Sequence, residues 1–62
     1  MQLVVNIKMD NAAFDENPWG ETARILRKLA ATLEENPSSV VWSESAALLD
    51  LNGNKCGTAI VR

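Results

Sequence analysis

The chain carries one stretch with a recognisable ligand spacing, "DLNGNKCGTAIV", in which Asp50, Asn52 and Asn54 align with the first three side-chain ligands of an EF-hand calcium loop. The match stops there. The sixth position of such a loop needs glycine for its sharp turn and here holds Lys55, and the twelfth needs a bidentate glutamate and here holds Val61. A β-hairpin accounts better for the same residues, because Asn-Gly between two β-compatible runs suits a two-residue type I′ turn, whose central residues both need φ > 0. With Asn52 and Gly53 as that turn, Leu51 faces Asn54, Asp50 faces Lys55 and Leu49 faces Cys56.

Cys56 is the only cysteine and the chain has no histidine. A reactive thiolate needs a neighbouring base or a helix N-terminus to lower its pKa, so the expectation is a small apolar strand residue rather than a nucleophile. A tetrahedral zinc shell is not available from one thiolate. The acidic residues Asp10, Asp15 and Glu16 lie in a loop of a small protein, where a desolvated general acid is not expected. The sequence therefore reads as non-enzymatic, with no metal and no cofactor.

Two other groups can recognise a partner. Arg24, Arg27 and Lys28 form a basic cluster on the outer face of the predicted helix, of the kind that tracks phosphates. Trp19 and Trp42 are the two tryptophans of a chain without tyrosine, and tryptophan is enriched among interface hot spots. Trp19 opens an apolar stripe and is expected in the core. Trp42 stands among polar residues and is the better candidate contact.

The elements that position these residues follow from hydrophobic period. "QLVVNIK" alternates Leu3, Val5 and Ile7 with Val4, Asn6 and Lys8, which predicts a strand over residues 2–8. "MDNAAFDEN" is a connecting loop of turn-forming side chains with Phe14 as its inward anchor. From "NPWGETARILRKLAATLEENP" the period becomes helical, with Trp19, Ala23, Leu26, Leu29, Ala30 and Leu33 on one stripe and Ile25 beside it. Asn17 is the expected N-cap, Pro18 the first helical residue, and Pro37 ends the helix near Glu35. "SSVVWSES" is irregular, and residues 46–51 are read as a strand.

The order β-α-β-β predicts an α+β fold comprising one domain over residues 1–62. A crossover through the helix returns the second strand parallel to the first. The hairpin then inserts the third strand between them, giving a three-stranded antiparallel sheet of order 1-3-2 with the helix on one face. Strand one would then be an edge, apolar on both sides through Leu3, Val4, Val5 and Ile7, and exposed edges of that kind pair with another chain. At 62 residues the core is near the lower size limit, and self-association is a common remedy. A homodimer through strand one or the uncovered sheet face is expected.

Eight acidic against six basic residues leave a net charge of −2, which argues against general nucleic-acid binding and for a protein partner. The opening residues lack a basic region followed by a long apolar run, and no apolar run approaches the ~20 residues that span a bilayer. The expected location is the cytoplasm, with no membrane contact.

"NIKMDNAAF", "ETARILRKLA" and "DLNGNKCG" together resemble a family of very small proteins encoded by bacteriophages and prophages. The likeness covers nearly the whole chain except residues 37–47, with Cys56 where an aliphatic residue is expected. No established activity or functional residue carries over from it. It implies an infected bacterial host cell and an accessory protein that occupies a surface of a host protein, as anti-defence inhibitors such as anti-CRISPR proteins do. The alternative is a small nucleic-acid-associated regulator using the basic helix face.

Overall fold

The structure, a computed structural model, describes residues 1–35 and 46–62. Trp42 lies outside the described residues, as does the rest of "VVWSES". The alternation in "LVVNI" forms strand β1 over Leu3–Ile7, and Phe14 closes a short 3-10 turn over Ala12–Phe14. Helix α1 runs over Pro18–Glu35, β2 over Ala46–Leu49 and β3 over Lys55–Val61. The sheet order is β1-β3-β2 with both pairings antiparallel, the α+β arrangement expected from the sequence.

The helix starts where its sequence dictates. Asn17 Oδ1 accepts the Gly20 N–H at 3.0 Å, which satisfies one of the first-turn donors that have no partner inside a helix. Pro18 occupies the first position, where a missing N–H costs nothing.

The buried stripe of α1 differs from the expected one. Ile25 and Leu29 are buried together with Glu21, and Leu33 packs beside them, so the inward face follows a four-residue spacing. Trp19 is 75% exposed and Leu26 43% exposed. The rotation has a physical reason: the Glu21 carboxylate reaches the β2–β3 turn and faces inward, which carries Trp19 out to solvent. Phe14, Ile25, Leu29, Leu48, Cys56 and Ala59 form the core. On the face of the sheet away from α1 stand Val4, Ala47, Leu49 and Ile60, mixed with Asn6, Lys55 and Thr58. Leu48 is therefore the inward residue of β2, and Leu49, 45% exposed, the outward one.

The hairpin also departs from the expected register. Asp50 N–H donates to the Asn54 carbonyl at 2.9 Å, and Gly53 N–H donates to the Asp50 carbonyl at 3.0 Å. Leu51, Asn52 and Gly53 thus form a three-residue loop, and Gly53 takes the left-handed conformation at φ +82°. This is the alternative hairpin in which a four-residue turn is followed by a left-handed residue. Leu49, not Asp50, sits opposite Lys55, and Cys56 is an extra residue between the Leu48–Gly57 and Leu49–Lys55 pairs. That bulge lets Cys56 and Gly57 both face the helix side. The expected Asp50–Lys55 charge pair does not form, because the Asp50 carboxylate is held in the turn.

Gly53→Val should cost about 1–3 kcal/mol, since a β-branched residue is strained at positive φ. A Cβ at this site meets nothing within 4 Å, so the whole cost is backbone conformation. Gly53→Asn should therefore melt close to the unmodified chain, asparagine tolerating the left-handed region. Thermal melts of the two variants check this, and equal midpoints would contradict the turn.

Candidate interaction surfaces

Three features built by this fold can meet a partner: the junction of α1 with the β2–β3 turn, the outer helix face, and the edge of β1. At the junction, Glu21 lies in the first turn of α1 and is only 8% exposed. Its carboxylate is held by a forked pair with Arg24, Nε donating to Oε1 at 2.6 Å and Nη2 to Oε2 at 3.0 Å. The Leu51 N–H donates to Oε2 at 2.6 Å from thirty positions along the chain. The same Arg24 Nη2 reaches the Leu49 carbonyl at 3.4 Å. One ion pair thus ties the helix N-terminus to the hairpin tip.

Asp50 organises the other side of the tip. Oδ1 accepts the N–H groups of Asn52 and Asn54, each at 2.9 Å, and Oδ2 accepts Asn11 Nδ2 at 2.9 Å. The residue that resembles a calcium ligand therefore spends its oxygens on protein donors. Asn11 brings the loop before the 3-10 turn into the same network.

These contacts set the charge states. The Arg24 guanidinium holds the Glu21 carboxyl below the usual range, against the opposing effect of burial and with help from the Leu51 N–H. Burial alone would raise Asp50, but the Asn11 amide and the Asn54 and Asn52 N–H groups together lower it. Burial pushes the Cys56 thiol up, and its Sγ donates to the Leu48 carbonyl at 3.5 Å, so Cys56 is a packed thiol in the core. With both carboxyls lower in the folded than in the unfolded chain, their stabilisation is complete above the unfolded carboxyl range and lost as pH falls through the folded values. The melting midpoint should be flat from pH 7 to about 5 and fall below about pH 4. Glu21→Gln should flatten that acid limb; an unchanged profile would remove Glu21 from the account.

The basic cluster is divided by this arrangement. Arg24 belongs to the junction, whereas Arg27 and Lys28 are exposed on the outer face of α1. Lys28 also borders a small cleft between α1 and β2, about 130 Å³, with Ile25, Leu29 and Thr32.

Two large apolar side chains that sequence periodicity assigned elsewhere or passed over are exposed: Trp19 in the first turn of α1, and Leu51 in the β2–β3 loop, which is 71% exposed. Helix residues two apart point to different sides, so the inward turn of Glu21 leaves Trp19 on the outer side of α1. Trp19 falls about 120° around the helix from Ile25, off the face that Glu21, Ile25 and Leu29 bury.

At the opposite side of the sheet, β1 pairs with β3 alone among the described residues. Leu3 is 48% exposed, and Val4, Val5 and Ile7 are half-buried. Among the described residues, helix α1 packs chiefly against the 3-10 turn and β2, and on the β1 side of the inner face Leu3 is exposed and Val5 and Ile7 are half-buried. An open groove lies at the Ile7 end, between Asn6, Lys8, Asn11, Lys55 and Thr58.

Among the described residues no helix is long and apolar enough to cross a membrane. Compared with known proteins, the chain matches no protein-family model, no curated protein and no solved structure.

Proposed function

We propose that this chain is a non-enzymatic accessory protein that acts by contact with another protein, as a homodimer in a bacterial host cytoplasm. The observation that carries the reading is Trp19, a tryptophan 75% exposed in the first turn of α1. Tryptophan is enriched among the residues that carry interface hot spots. Burying such a side chain in water-free contact is favourable, whereas displaying it to solvent gives the isolated chain nothing. The resemblance to small phage-encoded proteins supports a host protein as the partner and inhibition of a host defence system as the purpose.

A pull-down from bacterial lysate, read by mass spectrometry and repeated with Trp19→Ala, tests the reading. The captured partner should bind Trp19→Ala at least ~30-fold more weakly, the effect of a hot spot worth about 2 kcal/mol, with the melting midpoint of the isolated chain unchanged. Equal capture by both would reject Trp19 as the contact.

Exposed Arg27 and Lys28 favour a second reading, a small nucleic-acid-associated regulator. Phosphate contacts weaken steeply with salt, so a titration of duplex and single-stranded DNA between 50 and 200 mM salt (on the order of the range where such contacts fail) separates the two. The protein-contact reading expects no binding at either salt.

A further inference from the structure

We infer that two copies of this chain join through β1 about a two-fold axis at Val5, making one continuous six-stranded sheet with both helices on the same face. The inference rests on the homodimer reading and specifies its geometry.

The direction of the free backbone groups carries it. Gln2 and Arg62 exchange both of their backbone hydrogen bonds, at the end of the β1–β3 ladder, and the Lys8 N–H donates to the Cys56 carbonyl. In an antiparallel pair such bonded positions alternate along the strand. Gln2, Val4, Asn6 and Lys8 therefore direct their N–H and C=O groups towards β3, and Leu3, Val5 and Ile7 direct theirs out of the sheet. Placing the two-fold at Val5 brings these outward groups together in the bonded register: Val5 opposite Val5 of the second copy, and Leu3 opposite Ile7 in both directions. About six backbone hydrogen bonds result, and all five residues of β1 are used.

Side chains and charge agree with this register. Leu3, Val5 and Ile7 lie on the inner face, where Leu3 is exposed and Val5 and Ile7 are half-buried, so the pairing sets Val5 beside Val5 and Leu3 beside Ile7 across the seam. The only charge bordering the strand, Lys8, falls opposite Gln2 rather than another cation. Moving the axis to Asn6 would set Lys8 against Val4, and moving it to Val4 would leave Ile7 without a strand partner. A stable interface needs about 800 Å² from each partner, more than a ladder of five residues provides by itself. The half-buried Val5, Ile7, Met9 and Val61 beside the exposed Leu3 extend the apolar area on that face.

Light scattering on the unmodified chain at micromolar concentration should give about twice the 6.8 kDa chain mass. A monomer mass would overturn the homodimer reading and this geometry together, and would leave the edge to a partner's strand. Cysteine cross-linking then reads the register by itself. Val4 and Asn6 of opposite copies form a close, non-bonded pair with Cα atoms about 4.5 Å apart, inside the disulfide range, whereas Val4 to Val4 and Asn6 to Asn6 are about 7–8 Å diagonals outside it. Under mild oxidation a mixture of Val4→Cys and Asn6→Cys chains should give a covalent dimer, and neither variant alone should, with the unmodified chain as control for Cys56. A dimer mass with cross-linking of Asn6→Cys alone would move the axis to Asn6, and of Val4→Cys alone to Val4. A dimer mass without any of these cross-links would place the interface away from β1. Each of these outcomes overturns the geometry while preserving the homodimer.

Discussion

Gly57→Val is expected to abolish cooperative folding. Gly57 sits in the central strand opposite Ile7 of β1 and Leu48 of β2, next to the bulge residue Cys56. A Cβ built there collides with the backbone carbonyl oxygen of Asn6 and stands 3.0 Å from both the Asn6 carbonyl carbon and the Ile7 Cα. These are backbone atoms, so no side-chain rotation relieves the contact. Relief requires β1 to move away from β3, and the ladder from Leu3 to Ile7 is then lost. Typical stability of about 0.05–0.15 kcal/mol per residue gives a chain of this size roughly 3–9 kcal/mol in total, which the loss of an edge strand can exhaust. Gly57→Ala already adds the colliding atom and should lower the midpoint strongly. Far-UV circular dichroism melts of both variants provide the measurement. An alanine variant within about 1 kcal/mol of the unmodified chain would mean that β1 and β3 approach less closely than described here.

Phe14→Ala is expected to come second, at about 3–5 kcal/mol. Phe14 is 2% exposed and is the one aromatic side chain in the core among the described residues. Its backbone is fixed as well, the Phe14 N–H donating to the Asn11 carbonyl at 2.9 Å and the Asp15 N–H to the Ala12 carbonyl at 3.1 Å. Truncation leaves a cavity under α1 and frees the loop that carries Asn11. The hydrogen bond from Asn11 to Asp50 would loosen with it, so the hairpin tip should become more exchangeable even in molecules that remain folded. Urea titration gives the stability change, and amide hydrogen exchange at Asn52 and Asn54 gives the coupling. Leu26→Ala is the control: at 43% exposure it should cost under about 1 kcal/mol. A Phe14 effect no larger than that of Leu26 would contradict the core described here.

The two candidate surfaces differ in how far the sequence revealed them. The edge character of β1 was legible, because order β-α-β-β with an Asn-Gly hairpin places the first strand outside and period-two alternation identifies Leu3, Val5 and Ile7 as one face. The exposure of Trp19 was not. A tryptophan opening an amphipathic stripe reads as core, and only the inward turn of Glu21 shows that the stripe is rotated. Similarly, the basic cluster of Arg24, Arg27 and Lys28 is divided in the fold, since Arg24 reaches the Leu49 carbonyl twenty-five positions along the chain.

What the sequence determined by itself were features settled within a few neighbouring residues: the alternation of β1, the Asn17 cap and Pro18 start of α1, the Phe14 anchor, and a turn at Gly53. Backbone preference and local hydrogen bonding decide these, and they act over distances that a short window contains. Tertiary structure alone decided which helix face is buried, the three-residue loop in place of a two-residue turn, and the bulge at Cys56. The buried helix face depends on a polar group finding a partner far along the chain, Glu21 at the Leu51 amide, and Asp50 ties the hairpin loop to the distant Asn11 side chain. A carboxylate is placed inside a small protein only when such donors converge on it, because its desolvation is otherwise too costly, and no periodicity in the sequence records that convergence.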